Sequence, residues 1–301
     1  MQSFSRGWSF LTQAWGMALK DKDLIKPSMY ALLVGFFVSV LGIIPIVGAY
    51  LLLGDSGFGQ VLTFVLGALM VFVNFVVTYL FSGMTAYLIF GYLSEGDGRM
   101  DKAWRIVQRD FFDILTLAAA STAVNMLKSM ANRRNQRGGA NILAGLARSA
   151  VGLLEVLWTE AAYLILPAMV IDDLNLKDGV RRVWEITKNN LLLIGISTVG
   201  VRAVTGLIGF VLGLAGAVIG FGIGYGIISL LGSGVAGLVI GIGLGAMIFF
   251  VFVLVASLIS SYTGIAYHTC LYIWAREAEK AQALGQPIQI TAPAPLAAVL
   301  G

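Results

Sequence analysis

The chain has 301 residues, 58% of them hydrophobic and 12% charged, with a formal net charge of +4 and a mean hydropathy of +0.87. Soluble domains carry roughly 45–50% apolar and about 25% charged residues. This composition therefore excludes a soluble globular domain, a disordered tail and a secreted disulfide scaffold, and it leaves a polytopic membrane protein. With a single cysteine, Cys270, and a single histidine, His268, the chain has neither an internal disulfide nor the imidazole set of a zinc site. No basic stretch carries a nucleic-acid recognition motif, so the excess of lysine and arginine reads as membrane orientation.

The first long apolar run begins after Pro27. The segment before it holds Arg6, Lys20, Asp21, Lys22, Asp23 and Lys26 and no continuous apolar core, so a cleaved signal peptide is not expected. A membrane helix needs about 20 apolar residues to cross a core of roughly 30 Å. The runs that qualify are 28–53, 58–93 (with a true span near 62–90), 111–131, 149–171, 191–231 and 235–274. The last two are long. Residues 191–231 would reach about 60 Å as one straight helix, so the final hairpin is expected either to stand tall or to break at glycines. Six spans are expected, with eight as the alternative.

A polar connector precedes every second span. Leu11, Ala14, Trp15 and Ala18 share one helical face before the first, and Met100, Ala103, Trp104, Val107 and Phe111 before the third. Val180, Val183, Trp184, Thr187 and Leu191 do so before the fifth. The second and third sets are offset by 80 at every position. Spacing of i, i+3, i+4, i+7 and i+11 is one helical stripe, and Lys102, Arg105, Arg109, Arg181, Arg182 and Lys188 fill much of the remainder. These segments predict interfacial amphipathic helices anchored by Trp15, Trp104 and Trp184. The chain then reads as one polytopic domain over 1–275. It holds three units, 4–93, 97–171 and 177–274, each an amphipathic helix followed by a transmembrane hairpin.

An even number of spans puts both termini on one side. The segments assigned to that side hold Arg6, Lys20, Lys22, Lys26, Arg99, Lys102, Arg105, Arg109, Lys177, Arg181, Arg182, Lys188, Arg276 and Lys280. The opposite side holds Lys128, Arg133, Arg134, Arg137 and Arg148. This bias predicts cytoplasmic termini, with the basic 128–148 loop against the trend. After Trp274 the chain is first helical and then Pro- and Ala-rich, which predicts a mobile cytoplasmic tail over 276–301.

Ionisable residues inside spans are costly and mark candidate sites. Glu160 and Arg202 both fall about 16 Å deep by helical rise, and a midplane pair between them is expected. Glu155 lies nearer the far face, within reach of Arg148 or Arg202. Gly209 and Gly213 repeat at four, as do Gly216, Gly220 and Gly224, and Gly237, Gly241 and Gly245. Such stripes let helices approach closely, whether inside one hairpin or between subunits. His268 is expected to be an interfacial or buried hydrogen-bonding residue. The acidic clusters Glu95, Asp97 and Asp101, and Asp172, Asp173 and Asp178, lack the calcium-loop pattern and are expected to cap helices. No phosphate loop, His-Glu-x-x-His or Gly-x-Ser-x-Gly motif occurs, so no catalytic residue, cofactor or metal is assigned.

Several short stretches carry a resemblance. They are Phe4-Ser5-Arg6-Gly7-Trp8, Leu166-Pro167 before an acidic loop, Asp178-Gly179 leading into Arg181-Arg182, and the ending from Tyr262 to Trp274. Over about 4–275 the chain resembles an uncharacterised prokaryotic family of multi-pass membrane proteins, a domain of unknown function. It is more loosely similar to families built from repeated amphipathic-helix-plus-hairpin units. The resemblance implies a six-span fold and no activity. The expected fold is all-α, in a prokaryotic cytoplasmic membrane. The expected function is non-enzymatic, a structural, accessory or assembly subunit organising lipid or partner proteins. Its expected partners are membrane lipids, a second copy or another membrane protein, and not nucleic acid. The alternative is transport of a small solute or ion through Glu160 and Arg202.

Overall fold

The computed structural model describes residues 2–54, 56–136, 142–232, 234–283, 293 and 295–297. Side chains are described for these except at 2, 3, 132–136, 142–148, 189–200, 282 and 283. The helices in chain order are α1 (Gln2–Lys20), α2 (Lys26–Leu53), α3 (Gly57–Glu95), α4 (Met100–Arg109), α5 (Phe111–Gln136), α6 (Ile142–Asp172), α7 (Leu176–Leu231) and α8 (Val235–Ala283), with a 3₁₀ turn at Lys22–Leu24. No strand occurs among the described residues. Among the described residues six segments are long and apolar enough to cross a membrane, one each in α3, α5, α6, α7 and α8 and one that joins the 3₁₀ turn to α2. The protein is an all-α, multi-pass membrane protein.

The chain divides into two compact units. One comprises Met1–Lys20, Leu191–Tyr267 and Thr291–Gly301; the other comprises Asp21–Asn190 and His268–Ile290.

In the larger unit α2 pairs with α3 and α5 with α6, and α3 joins the two hairpins by packing on both α5 and α6. Its core is built from one end of each span. Met84, Ala86, Leu88 and Ile89 of α3, Ile114, Leu117 and Ala118 of α5, and Ile165, Leu166, Ala168 and Met169 of α6 are all buried. Gly83 fits this core because an added Cβ would stand 3.2 Å from Val170. The rest of the apolar surface is open. Phe37, Leu41, Ile44 and Leu51 of α2 and Phe58, Val61 and Leu69 of α3 are exposed, as expected where lipid rather than protein covers a helix.

Local chemistry sets the ends of these helices. Ser56 caps α3 by accepting from the Gly59 amide at 3.1 Å. Gly96 ends α3 with φ 79°, a left-handed geometry natural to glycine. The acidic clusters do not supply the expected caps: α4 begins after Arg99 with no side-chain cap, and α7 is capped by Asn175. At the start of α7, Asn175 accepts from the Asp178 amide at 3.0 Å while its own amide donates back to Asp178 at 2.7 Å, a reciprocal cap. Glu95 instead pairs with Lys102 at 2.6 Å, and Asp101 with Arg99 and Arg105. The Arg99 guanidinium beside it holds the Asp101 carboxyl below the usual range.

The connector before the third span is α4. Ala103 and Val107 are buried, whereas Trp104 is 50% exposed. The matching segment of α7 behaves alike, with Val183 and Ile186 buried and Trp184 69% exposed. Of the expected stripes, Ala103, Val107 and Val183 are buried and Val180 and both tryptophans exposed, so the buried line runs through the residue before each tryptophan and leaves the indole outside. The connector before the fifth span is also not a separate helix, since α7 continues through it into the span. Between α4 and α5 only Asp110 interrupts the helix, and it is buried. Arg109 reaches it at 2.6 Å and Asp173 at 3.1 Å. Burial outweighs that guanidinium and pushes the Asp110 carboxyl up.

In the smaller unit α1 packs on α8 through the expected face. Leu11, Ala14 and Ala18 are buried together with Phe10 and Met17. Trp15 is turned inward, unlike the other two connector tryptophans. Its indole donates to Thr263 at 3.2 Å and its ring meets Tyr262 edge-on. The Tyr262 hydroxyl in turn donates to the Ala14 carbonyl at 3.1 Å.

The final hairpin is unbroken: 191–231 lies wholly in α7 and 235–267 in α8, with the turn at Gly232, where φ is 83°. Its glycines divide in two. A Cβ on Gly220 would lie 2.5 Å from the Gly245 carbonyl oxygen, one on Gly241 2.7 Å from that of Gly224, and one on Gly216 2.7 Å from Phe252. Those contacts belong to antiparallel packing inside one hairpin. Gly209 and Gly213 meet nothing within 4 Å, and Gly237 faces the Gly232 carbonyl of its own turn. The last three are therefore not helix-packing glycines, although their spacing is the same.

Near the C-terminus, α8 carries the predicted helical start of the tail to Ala283, and farther on Leu296 is fully buried.

Candidate functional site

Three spans of the larger unit carry polar residues at helical spacing. On α5 these are Ser121, Asn125 and Lys128, at i, i+4 and i+7; on α6 they are Glu155, Thr159 and Tyr163; on α3 they are Thr78, Tyr79 and Ser82. Spacing of this kind puts each set on one face, and the faces meet. Ser121 accepts from the Trp158 indole at 2.8 Å and shares a 2.7 Å hydrogen bond with the Tyr79 hydroxyl. A cavity of about 120 Å³ lies between α3, α5 and α6, with Tyr79, Ser121, Asn125, Glu155, Trp158 and Tyr163 among its walls.

Glu155 is held by Lys128, whose ammonium lies 2.6 and 2.7 Å from its two oxygens. The expected partners were Arg148 and Arg202. The Arg148 side chain is outside the described residues, as are those of Arg133, Arg134 and Arg137, and Arg202 belongs to the other unit. Lys128 was expected in a loop, but α5 runs on to Gln136, so the lysine stands on a helix face.

Glu160 lies five residues beyond Glu155 on α6, well round the helix from it. Its Oε2 is hydrogen-bonded to Nε2 of His268 at 3.0 Å, and the imidazole stacks on Tyr163 with centroids 5.2 Å apart. Glu160 and Tyr163, at i and i+3, therefore grip one buried ring from α8. His268 is the buried hydrogen-bonding residue expected of it, 6% exposed. Glu160 and Arg202 fall in separate units.

At the end of α6 a second cluster ties helices together. Asp172 accepts from the Tyr272 hydroxyl at 2.6 Å and pairs with Arg276 at 2.8 Å. Arg276 also lies over the Phe90 ring, and Arg182 pairs with Glu279. This cluster locks α3, α6, α7 and α8 within the unit. It offers charge already satisfied by charge, which is structural chemistry.

No group of three or more metal-ligating side chains occurs among the described residues. No family model and no curated protein matches the chain. The class is thus defined by the fold, an all-α multi-pass membrane protein, and by a polar core inside the spans.

Proposed function

We propose that the protein is a non-enzymatic structural, accessory or assembly subunit of a prokaryotic cytoplasmic membrane. In this reading it organises lipid or partner proteins and keeps both termini inside. The observation that carries the reading is the outward pairing of tryptophan and arginine on its two matched connectors. Trp104 stands beside Arg105, and Trp184 lies one turn from Arg181, all four exposed. Arg105 and Arg181 are held in i, i+4 ion pairs with Asp101 and Glu185. An exposed indole next to fixed positive charge suits the headgroup region of an anionic bilayer.

Arg105→Gln with Arg181→Gln is expected to weaken binding of anionic lipid or of a copurifying partner several-fold, since a basic residue near such a surface is worth about 1 kcal/mol. The measurement is lipid and protein retention on purified full chain in mild detergent, and unchanged retention would remove the reading. Arg109 and Arg182 are unsuited to this test, because their ion pairs with Asp110, Asp173 and Glu279 are internal.

A second reading, transport of a small solute or ion through a midplane Glu160–Arg202 pair, draws on the carboxylate–imidazole contact inside the spans. Intramembrane ionisable groups commonly mark proton or ion paths. Liposome flux that survives Glu160→Gln undiminished would eliminate that site; a loss of tenfold or more is expected.

A further inference from the structure

We propose that the cavity between α3, α5 and α6 binds a small organic ammonium ion, with Glu155 as counter-charge and Tyr79, Trp158 and Tyr163 as walls. The inference requires neither the organising nor the transport reading, because binding alone is claimed.

Size comes first. About 120 Å³ is the room of roughly four waters at about 30 Å³ each, which suits a compact ligand such as tetramethylammonium and excludes a sugar or a nucleotide. The walls come second. Ser121 engages both the Trp158 indole N–H and the Tyr79 hydroxyl, so the polar edges of these rings are satisfied by protein. What they add to the cavity is aromatic carbon. Tyr79 is also stacked on Phe75, with centroids 5.7 Å apart, which holds its ring in place. Fixed aromatic surface attracts cations through its quadrupole, most strongly where water is excluded.

Charge decides the sign of the ligand. Among the described residues that line the cavity Glu155 is the one with a formal charge, and its Lys128 partner is not part of that lining. The carboxylate already holds one ammonium there. A quaternary ammonium donates no hydrogen bond, so it would join the Glu155–Lys128 pair by charge alone, with the aromatic walls supplying the rest of its attraction. Asn125 adds a neutral polar group to the wall. A neighbouring groove of about 260 Å³ shares Phe75 and Thr78 with the cavity.

The ammonium has two possible sources, a soluble amine or a lipid headgroup. Glu155 lies six residues inside the span that starts at Ser149, about 9 Å by helical rise, within reach of a headgroup. The test uses the full chain in phosphatidylglycerol nanodiscs, whose headgroups carry no ammonium, with radiolabelled tetramethylammonium as probe. Saturable binding is expected, with tert-butanol, a neutral molecule of the same tetrahedral shape and heavy-atom count, competing at least tenfold more weakly. Thr159→Leu, which fills the cavity, and the double variant Glu155→Gln with Lys128→Gln, which removes the ion pair as a unit, should each weaken binding at least tenfold. Their unfolding temperatures report that each still folds. Absent saturable binding, equal displacement by the alcohol, or wild-type binding in both variants would overturn the proposal. Repeating the assay in nanodiscs of equal phosphatidylglycerol content, diluted with phosphatidylethanolamine in one case and with a neutral glycolipid in the other, separates the sources at constant surface charge. A several-fold loss of probe binding with phosphatidylethanolamine supports a headgroup occupant, and an unchanged value supports a soluble amine.

Discussion

Gly220→Leu is expected to cost about 3 kcal/mol of stability, at the upper end for overpacking, while Gly209→Leu on the same helix costs nothing. The difference arises from what each missing Cβ would meet. At Gly220 it would stand 2.5 Å from the carbonyl oxygen of Gly245 and 3.5 Å from the Phe249 amide nitrogen. Both are helix backbone. No rotamer change relieves the collision, so the two helices must move apart along the whole contact from Gly216 to Gly245. At Gly209 nothing lies within 4 Å, and leucine there gains roughly 0.5–1 kcal/mol of helix propensity over glycine. Gly220→Ala should show most of the backbone clash with little added bulk, which separates collision from volume. Denaturant unfolding of the full chain in detergent micelles reads all three. Equal stability for the leucine variants at 220 and 209 would mean that the hairpin is not packed through its glycines.

This pair of residues also shows what spacing can and cannot convey. Gly209, Gly213, Gly216 and Gly220 fall on one stripe, and the stripe correctly places close helix packing in the last hairpin. It does not say where along the stripe the partner begins to touch, because that depends on where the partner's own glycines and Phe252 come level across the turn at Gly232. The six spans were legible because lipid, unlike a protein neighbour, demands apolarity on nearly every exposed side of a helix. The length of α5 was less so. Its last turns contain Asn125, Lys128 and Asn132, so hydropathy falls there although the helical hydrogen bonds continue to Gln136. The same limit hid the join in α7. Charged residues give way to apolar ones near 190 with no proline or glycine between them, so composition changes and backbone geometry does not. The polar faces of α3, α5 and α6 were present as i, i+4 patterns, yet each is short and diluted by apolar neighbours. They become a site only when three helices bring them together.

The partner of Glu160 was hidden for a different reason. Helical rise places a side chain's Cα in depth, but a glutamate and an imidazole each extend several ångströms from the helix axis and bridge levels that counting separates. His268, which lies close to the inner end of the last span in sequence, is bonded to a residue 108 positions away.

That contact carries the second large prediction. His268→Phe is expected to destabilise the protein by about 2–3 kcal/mol, and His268→Gln by less than half as much. Phenylalanine keeps the bulk of the ring and its stacking on Tyr163, but removes the nitrogen that reaches Glu160 Oε2. A hydrogen bond to a charged group is worth about 1.5–3 kcal/mol, and burial withholds the water that would replace it. Glutamine keeps a donor on a flexible stem and forfeits the stacking, whose worth is only about 0.5–1.5 kcal/mol. Here the hydrogen bond outweighs the ring. A cycle of His268→Phe with Glu160→Gln should show coupling of about 1–2 kcal/mol, the range for side chains in direct contact. The ring is 7% exposed and the carboxylate 24%, and inside the spans that exposure faces lipid rather than water, so little screening weakens the coupling. If the phenylalanine variant proves as stable as the glutamine variant and the cycle closes to zero, stacking on Tyr163 is what holds α8 to α6, and the carboxylate–imidazole contact contributes no stability.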